Sequence, residues 1–171
     1  KKKKKKSISF GTPVVFNDNN TYDHTGCAFD STNNKIVISY RNNANSSLEA
    51  IVGTVSGTSI SFGTAVVFEV NGYFTAVVYD SSANRIVIGY KDASNNSYFA
   101  VQTGTISGTS ISFSNYTTNS QAANRIFGAF DSNANKPVIA FSDNSNDHGK
   151  AVVITTGYTS QNLTSEKYIG M

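Results

Sequence analysis

The stretch Ser56-Gly57-Thr58-Ser59-Ile60-Ser61-Phe62 returns as Ser107-Gly108-Thr109-Ser110-Ile111-Ser112-Phe113, and its second half opens the chain at Ser7-Ile8-Ser9-Phe10. Steps of 52 from Ser7 to Ser59 and 51 from Ser59 to Ser110 define a period. A second marker, Asp-Ser-x-x-Asn at residues 30–34, 80–84 and 131–135, keeps that period with steps of 50 and 51. Two markers sharing one period are an internal repeat, and a period near 50 residues points to stacked supersecondary units.

One period contains four strand-like runs. Residues 75–79, with equivalents 25–29 and 126–130, precede the Asp-Ser turn, and residues 85–91, with equivalents 35–41 and 136–142, follow it. The short turn between them predicts a hairpin, with Asp80 accepting backbone N–H bonds and Asn84 left-handed. The third run is 98–106, matched by 48–55 and 150–156. A Ser-Gly-Thr turn leads to the fourth, 59–68, matched by 7–16 and, in eroded form, 110–118. The first two runs are apolar on both faces, as strands covered on two sides should be. The fourth alternates Ile60 and Phe62 with Ser59 and Ser61, as an outer strand with one wet face should. No helical periodicity occurs. The expected fold is therefore all-β: three four-stranded antiparallel meanders arranged like the blades of a β-propeller. The alternative is a β-trefoil or β-prism with threefold pseudo-symmetry, which also uses repeats of this kind.

The composition agrees. Asn, Ser and Thr number 20, 23 and 17 of 171 residues, while charged residues make up only 15%. Asn and Ser serve turns and Thr serves strands. Lys1 to Lys6 supply six of the 14 basic residues, leaving eight against 11 acidic ones, so residues 7–171 carry a net −3. A terminal run is not a basic folded face, and nucleic acid is not an expected partner. The run reads as a tag, a placeholder or a disordered tail. The repeat domain occupies 7–160, and 161–171 reads as a linker toward a following module. No apolar run is long enough to predict membrane insertion. Cys27 stands alone, which excludes an intramolecular disulfide, and its apolar strand predicts a buried, inert thiol.

The repeat, Gly-Thr-(Val/Ile)-Ser-Gly-Thr-Ser-Ile-Ser-Phe-Gly-Thr-(Pro/Ala)-Val-Val-Phe followed by Asp-Ser-x-x-Asn-(Lys/Arg)-Ile-Val-Ile-x-Tyr, resembles tandem repeats in structural and tail-fibre-like proteins of marine tailed phages, especially those of cyanobacteria. The resemblance covers residues 7–160. It implies a non-enzymatic virion component, a fibre, spike or decoration module, located in the virion or extracellularly. The implied partners are other virion proteins, further copies of itself, or a host-surface glycan. The third period departs from the motif, with Ser114 in place of glycine and Pro137 where Ile36 and Ile86 stand.

Candidate ligand-binding residues gather on the loops entering the first strands, Tyr22, His24, Tyr73 and Arg125, and on the loops between second and third strands, Arg41, Lys91 and Asp143. Tyr stacks on sugars, and Asn, Ser and Asp hydrogen-bond them. The rival class is a glycan-processing propeller enzyme. A sialidase-like site needs several convergent arginines, and the chain has only Arg41, Arg85 and Arg125. A carboxylate pair of Asp23 with Glu69 could be drawn on paper. His24 and His148 fall at different repeat positions, which disfavours zinc or triad chemistry. Residues 143–147 have the spacing that starts a calcium loop but lack its glycine and closing glutamate. No catalytic residue, metal or cofactor is therefore expected. The five Asn-x-Ser/Thr sequons are no more than this composition produces by chance.

Overall fold

The computed structural model describes residues 7–156, apart from the side chains of residues 22–24. The lysine run and the 161–171 segment lie outside the described residues. The regular elements are all strands: β1 (Thr21–Asp30), β2 (Lys35–Asn42), β3 (Ser47–Ser56), β4 (Ser59–Phe62), β5 (Val66–Val70), β6 (Gly72–Asp80), β7 (Arg85–Asp92), β8 (Tyr98–Ser107), β9 (Ser110–Asp131), β10 (Lys136–Asp143) and β11 (Gly149–Val153). They form two antiparallel sheets. The first runs β1-β2-β3-β4, with β5 also paired to β3. The second runs β6-β7-β8-β9-β10-β11.

The turns behave as their residues require. In each Asp-Ser turn one carboxylate oxygen accepts two backbone N–H groups: Asp30 from Thr32 and Asn33, Asp80 from Ser82 and Ala83, Asp131 from Asn133 and Ala134. Asn34, Asn84 and Asn135 close these turns at φ 52°, 50° and 53°. Asn tolerates this left-handed region because its short polar side chain bonds locally.

Two junctions depart from expectation. Residues 119–125 are not a loop, because β9 is one strand of 22 residues. Its first half pairs with β8 as far as Ala122, and from Ala123 it pairs with β10. Left-handed Asn115, Ser120 and Arg125 (φ 58°, 57° and 47°) re-aim the strand without ending it. The register with β8 shifts as it does at bulges. Likewise 69–74 is barely a loop, since only left-handed Asn71 separates β5 from β6.

The expected strand at 7–16 does not form either. Among the described residues no third-type run lies beside it, and its backbone joins no ladder. Its terminal ring still packs: Phe16 lies 5.0 Å from the Tyr40 ring and 6.0 Å from Phe62. Phe68, 52 residues later, sits likewise against Tyr90 at 5.5 Å and Phe113 at 5.1 Å.

Strands β6, β7 and β8 are covered on both faces, which accounts for their continuous apolar runs. Val77, Tyr79, Ile86, Ile88 and Tyr90 join one buried cluster with Val37, Leu48 and Val52. The alternate residues Ala76, Val78, Val87 and Val101 join a second cluster with Ile126, Ile139 and Phe141. Phe99 and Phe141 stack in that layer, with centroids 4.8 Å apart. β6 packs against both β1 and β9.

Candidate functional site

The candidate residues converge on the end of the sheets where β2, β7 and β10 finish and β1 and β6 begin. Backbone pairing sets Tyr22 opposite Arg41 and Tyr73 opposite Lys91. The side chains of Tyr22, Asp23 and His24 lie outside the described residues. All seven candidates lie within strands rather than on loops, because the ladders run on past the turns the sequence suggested. Tyr22 and His24 are in β1, Arg41 in β2, Tyr73 in β6, Lys91 in β7, Arg125 in β9 and Asp143 at the end of β10.

Arg41 is 6% exposed. Its Nε donates to the Gly72 carbonyl at 3.0 Å, a terminal guanidinium nitrogen donates to Asn43 Oδ1 at 2.5 Å, and its charge sits 4.2 Å over the Tyr73 ring. Arg is suited to combining a planar stack with directed donors. Lys91, one period later, donates from Nζ to Asn124 Oδ1 at 3.0 Å and lies 5.7 Å from the Phe74 ring. Burial lowers its pKa, because desolvation disfavours the ammonium. Asn124 in turn donates to Asn144 Oδ1. Each cation thus leaves the second strand of its own period and reaches the first strand of the next. Both are clips between neighbouring layers.

Asp143 stands at a different repeat position. In sequence it follows Ser142, the true counterpart of Arg41 and Lys91, and so corresponds to Asn42 and Asp92. All three cap the loop after their strand. Asn42 accepts the N–H of Ala44, Asp92 those of Ser94 and Asn95, and Asp143 that of Ser145. Asp143 also takes Ser145 Oγ at 2.7 Å and pairs with Lys150 at 2.6 Å. Lys150 and Ser145 together hold its carboxyl far below the usual carboxylate range. Among the described residues, no group of three or more His, Cys, Asp or Glu side chains could hold a metal ion.

Arg125 is exposed and lines an open concavity of about 420 Å³ with Phe127, Ala140 and Lys150. Cys27 is exposed, contrary to the buried thiol its strand suggested. It lines a 210 Å³ pocket with Val77 and Gly128, its counterparts 50 and 101 residues on, and partial desolvation raises its pKa.

The polar network that sequence reading missed lies behind this end. Tyr90 donates to Glu69 Oε2 at 3.1 Å, and Tyr116 donates to Asp92 Oδ2 at 2.6 Å. Burial pushes the Glu69 carboxyl up, and the Asp92 charge adds to it. The phenol of Tyr90 is pushed far above its ordinary value by burial and by Glu69. A parallel set surrounds Glu49, which accepts from Tyr40, Asn42, Asn45 and Ser47. Recurrence of an aromatic at 40, 90 and 141 was the available signal, but its carboxylate partner comes from β3 in one case and β5 in the other. Compared with known protein families, curated proteins and solved structures, the chain matches none.

Proposed function

We propose that this chain is a propeller-like array of three β-blades serving as a non-enzymatic structural and contact module of a virion, in a tail fibre, spike or decoration. Three counterpart strand segments, Thr25–Cys27, Thr75–Val77 and Ile126–Gly128, line one shared pocket. That is what inner strands gathered about a common axis would do, and it favours blades over a trefoil or prism. The observation carrying the non-enzymatic reading is the use made of the charged groups. Arg41 and Lys91 tie one blade to the next, and Asp30, Asp80, Asp92, Asp131 and Asp143 cap turns. Groups committed in this way build a scaffold. The virion setting rests on the resemblance of the repeat. The surface left for recognition is the Asn- and Ser-rich loop end around Tyr73, where polar partners such as other virion proteins or a host glycan would be met.

Mass spectrometry of purified virions, together with glycan arrays and hydrolase assays on the 171-residue chain, tests this. The chain is expected among virion proteins, with no turnover of any oligosaccharide. Turnover would replace this reading with the second one, a glycan-processing enzyme. The feature favouring that reading is Glu69, whose raised pKa next to the charge of Asp92 suits a general acid. In that case Glu69→Gln would abolish the activity.

A further inference from the structure

We infer that the two ends of the blade stack are the two halves of one interface, and that the partner covering them is a second copy of this chain. The inference rests on the blade reading above. On the outward face of the last blade, two cross-strand rows lie in register: Phe127–Ala140–Ala151 and Ala129–Val138–Val153. Phe127 is 63% and Val153 64% exposed, while Ile139 and Phe141, on the opposite face of β10, are buried. The middle blade carries the same rows as Ala76–Gly89–Val101 and Val78–Val87–Thr103, all buried because the last blade lies across them. A Cβ added at Gly89 would stand 3.3 Å from Ile139.

The first blade presents the complementary surface. Cys27 and Ile38 pair across β1 and β2, as do Phe29 and Ile36. Cys27 and Phe29 are exposed, and Ile36 and Ile38 are partly so. Their counterparts in the middle blade, Val77, Ile88, Tyr79 and Ile86, are at most 8% exposed because the first blade covers them. Among the described residues this contact is therefore made twice, and an exposed apolar half remains at each end. Contiguous exposed apolar faces of this sort mark protein interaction sites.

Residues 7–16 fit the same docking. Phe16 fastens them to the first blade, yet Ile8 and Phe10 stand 91% and 93% exposed. In the completed blades the counterpart residues Ile60 and Phe62 lie opposite Val55 and Gly53 of the third strand. Among the described residues β11, the third strand of the last blade, pairs only with β10. A first blade docking on a last blade brings Ile8 and Phe10 of one copy beside the free edge of β11 in the other. An open edge strand is a ready acceptor for such an addition. Used head to tail in both directions, the contact closes a ring of two copies and leaves neither face bare.

Sedimentation equilibrium of the full 171-residue chain reads the outcome. The expected particle has twice the 18.3 kDa chain mass. Phe127→Glu, a change at a side chain exposed in the single chain, is expected to halve that mass with the far-UV spectrum unchanged. In the same variant Cys27 should turn from slow to fast in reaction with a thiol reagent, which reports the opposite end of the interface. Phe29→Glu should also halve the mass, so misfolding of one variant does not decide the result. An open ladder of larger species would keep the contact and overturn the two-copy closure. A monomeric parent chain overturns the proposal, whether its faces stay bare or are covered by residues 157–171. Because the readout is mass, absence from virions would defeat the proposed function without touching this one.

Discussion

Gly63 lies so close to the Thr109 carbonyl oxygen that a Cβ on it would stand 2.1 Å away, and Gly11 bears the same relation to Thr58 at 1.9 Å. The glycine after the first two copies of Ser-Ile-Ser-Phe is thus pressed against the Ser-Gly-Thr turn of the next period. Neither contact leaves room for a side chain, since a backbone oxygen cannot swing aside. The third copy of the motif carries Ser114 there, and Ser114 is exposed.

Gly63→Ala is therefore expected to destabilise by about 1–3 kcal/mol, the usual range for forcing volume into a packed site. Ser114→Gly should gain nothing from relief of crowding. Urea denaturation of both variants checks this, and a neutral Gly63→Ala would mean that the close approach is not maintained.

Asp80 is 1% exposed and also accepts from Thr156, whereas Asp131, at the same repeat position, is exposed. Losing the caps should cost about 2–3 kcal/mol in Asp80→Ala and under about 1 kcal/mol in Asp131→Ala. Burial alone would raise the Asp80 pKa, but bonds from Ser82, Thr156 and Ala83 outweigh it and lower it. A depressed acid stabilises the fold above its unfolded pKa of about 4 and loses that contribution as the pH falls through the folded value. The parent should lose stability on acidification more steeply than Asp80→Ala. Equal losses in the two variants would show that burial of the turn is irrelevant.

Glu49 and Glu69 should respond to pH with opposite sign. At Glu49 burial raises the pKa, but four donors outweigh it, so the folded pKa is lowered. Its stabilisation is present above the ordinary Glu value and is lost in acid, and Glu49→Gln should cost about 1–3 kcal/mol at neutral pH. Glu69 has a raised folded pKa. Its ionisation above the ordinary range works against the fold, so Glu69→Gln should lose nothing at neutral pH. Thermal melts at several pH values compare the two, and matching losses would contradict the assignment.

Arg41→Ala removes both the bond to the Gly72 carbonyl and the stack on Tyr73, and about 2–4 kcal/mol is the expected loss. Arg41→Lys keeps the charge but not the planar fork, so it should recover only part of that. Full recovery by lysine would reduce the site to simple charge pairing.

Much of the fold was legible because its determinants are local. The Asp-Ser turns, the left-handed Asn34, Asn84 and Asn135, and the hairpins they close depend on bonds between residues two to five apart. The doubly buried β6 and β7 were equally readable, since each residue type states whether its own face is dry. The placement of charged residues was not. Asp143 resembles a loop ligand by composition, and only the fold brings Lys150 to it.

The sequence by itself determined the period, the all-β character and the chemistry of each turn, because these follow from steric and hydrogen-bonding preferences of short segments. Only the tertiary structure decided that β9 runs unbroken from one sheet partner to the next. It also decided that Arg41 and Lys91 are spent on the neighbouring layer, and that Cys27 and Phe127 face outward from apolar strands. Alternation along a strand says which residues share a face. What lies across that face is set by another segment some 50 residues away, and the strand's own residues carry no record of whether it is there.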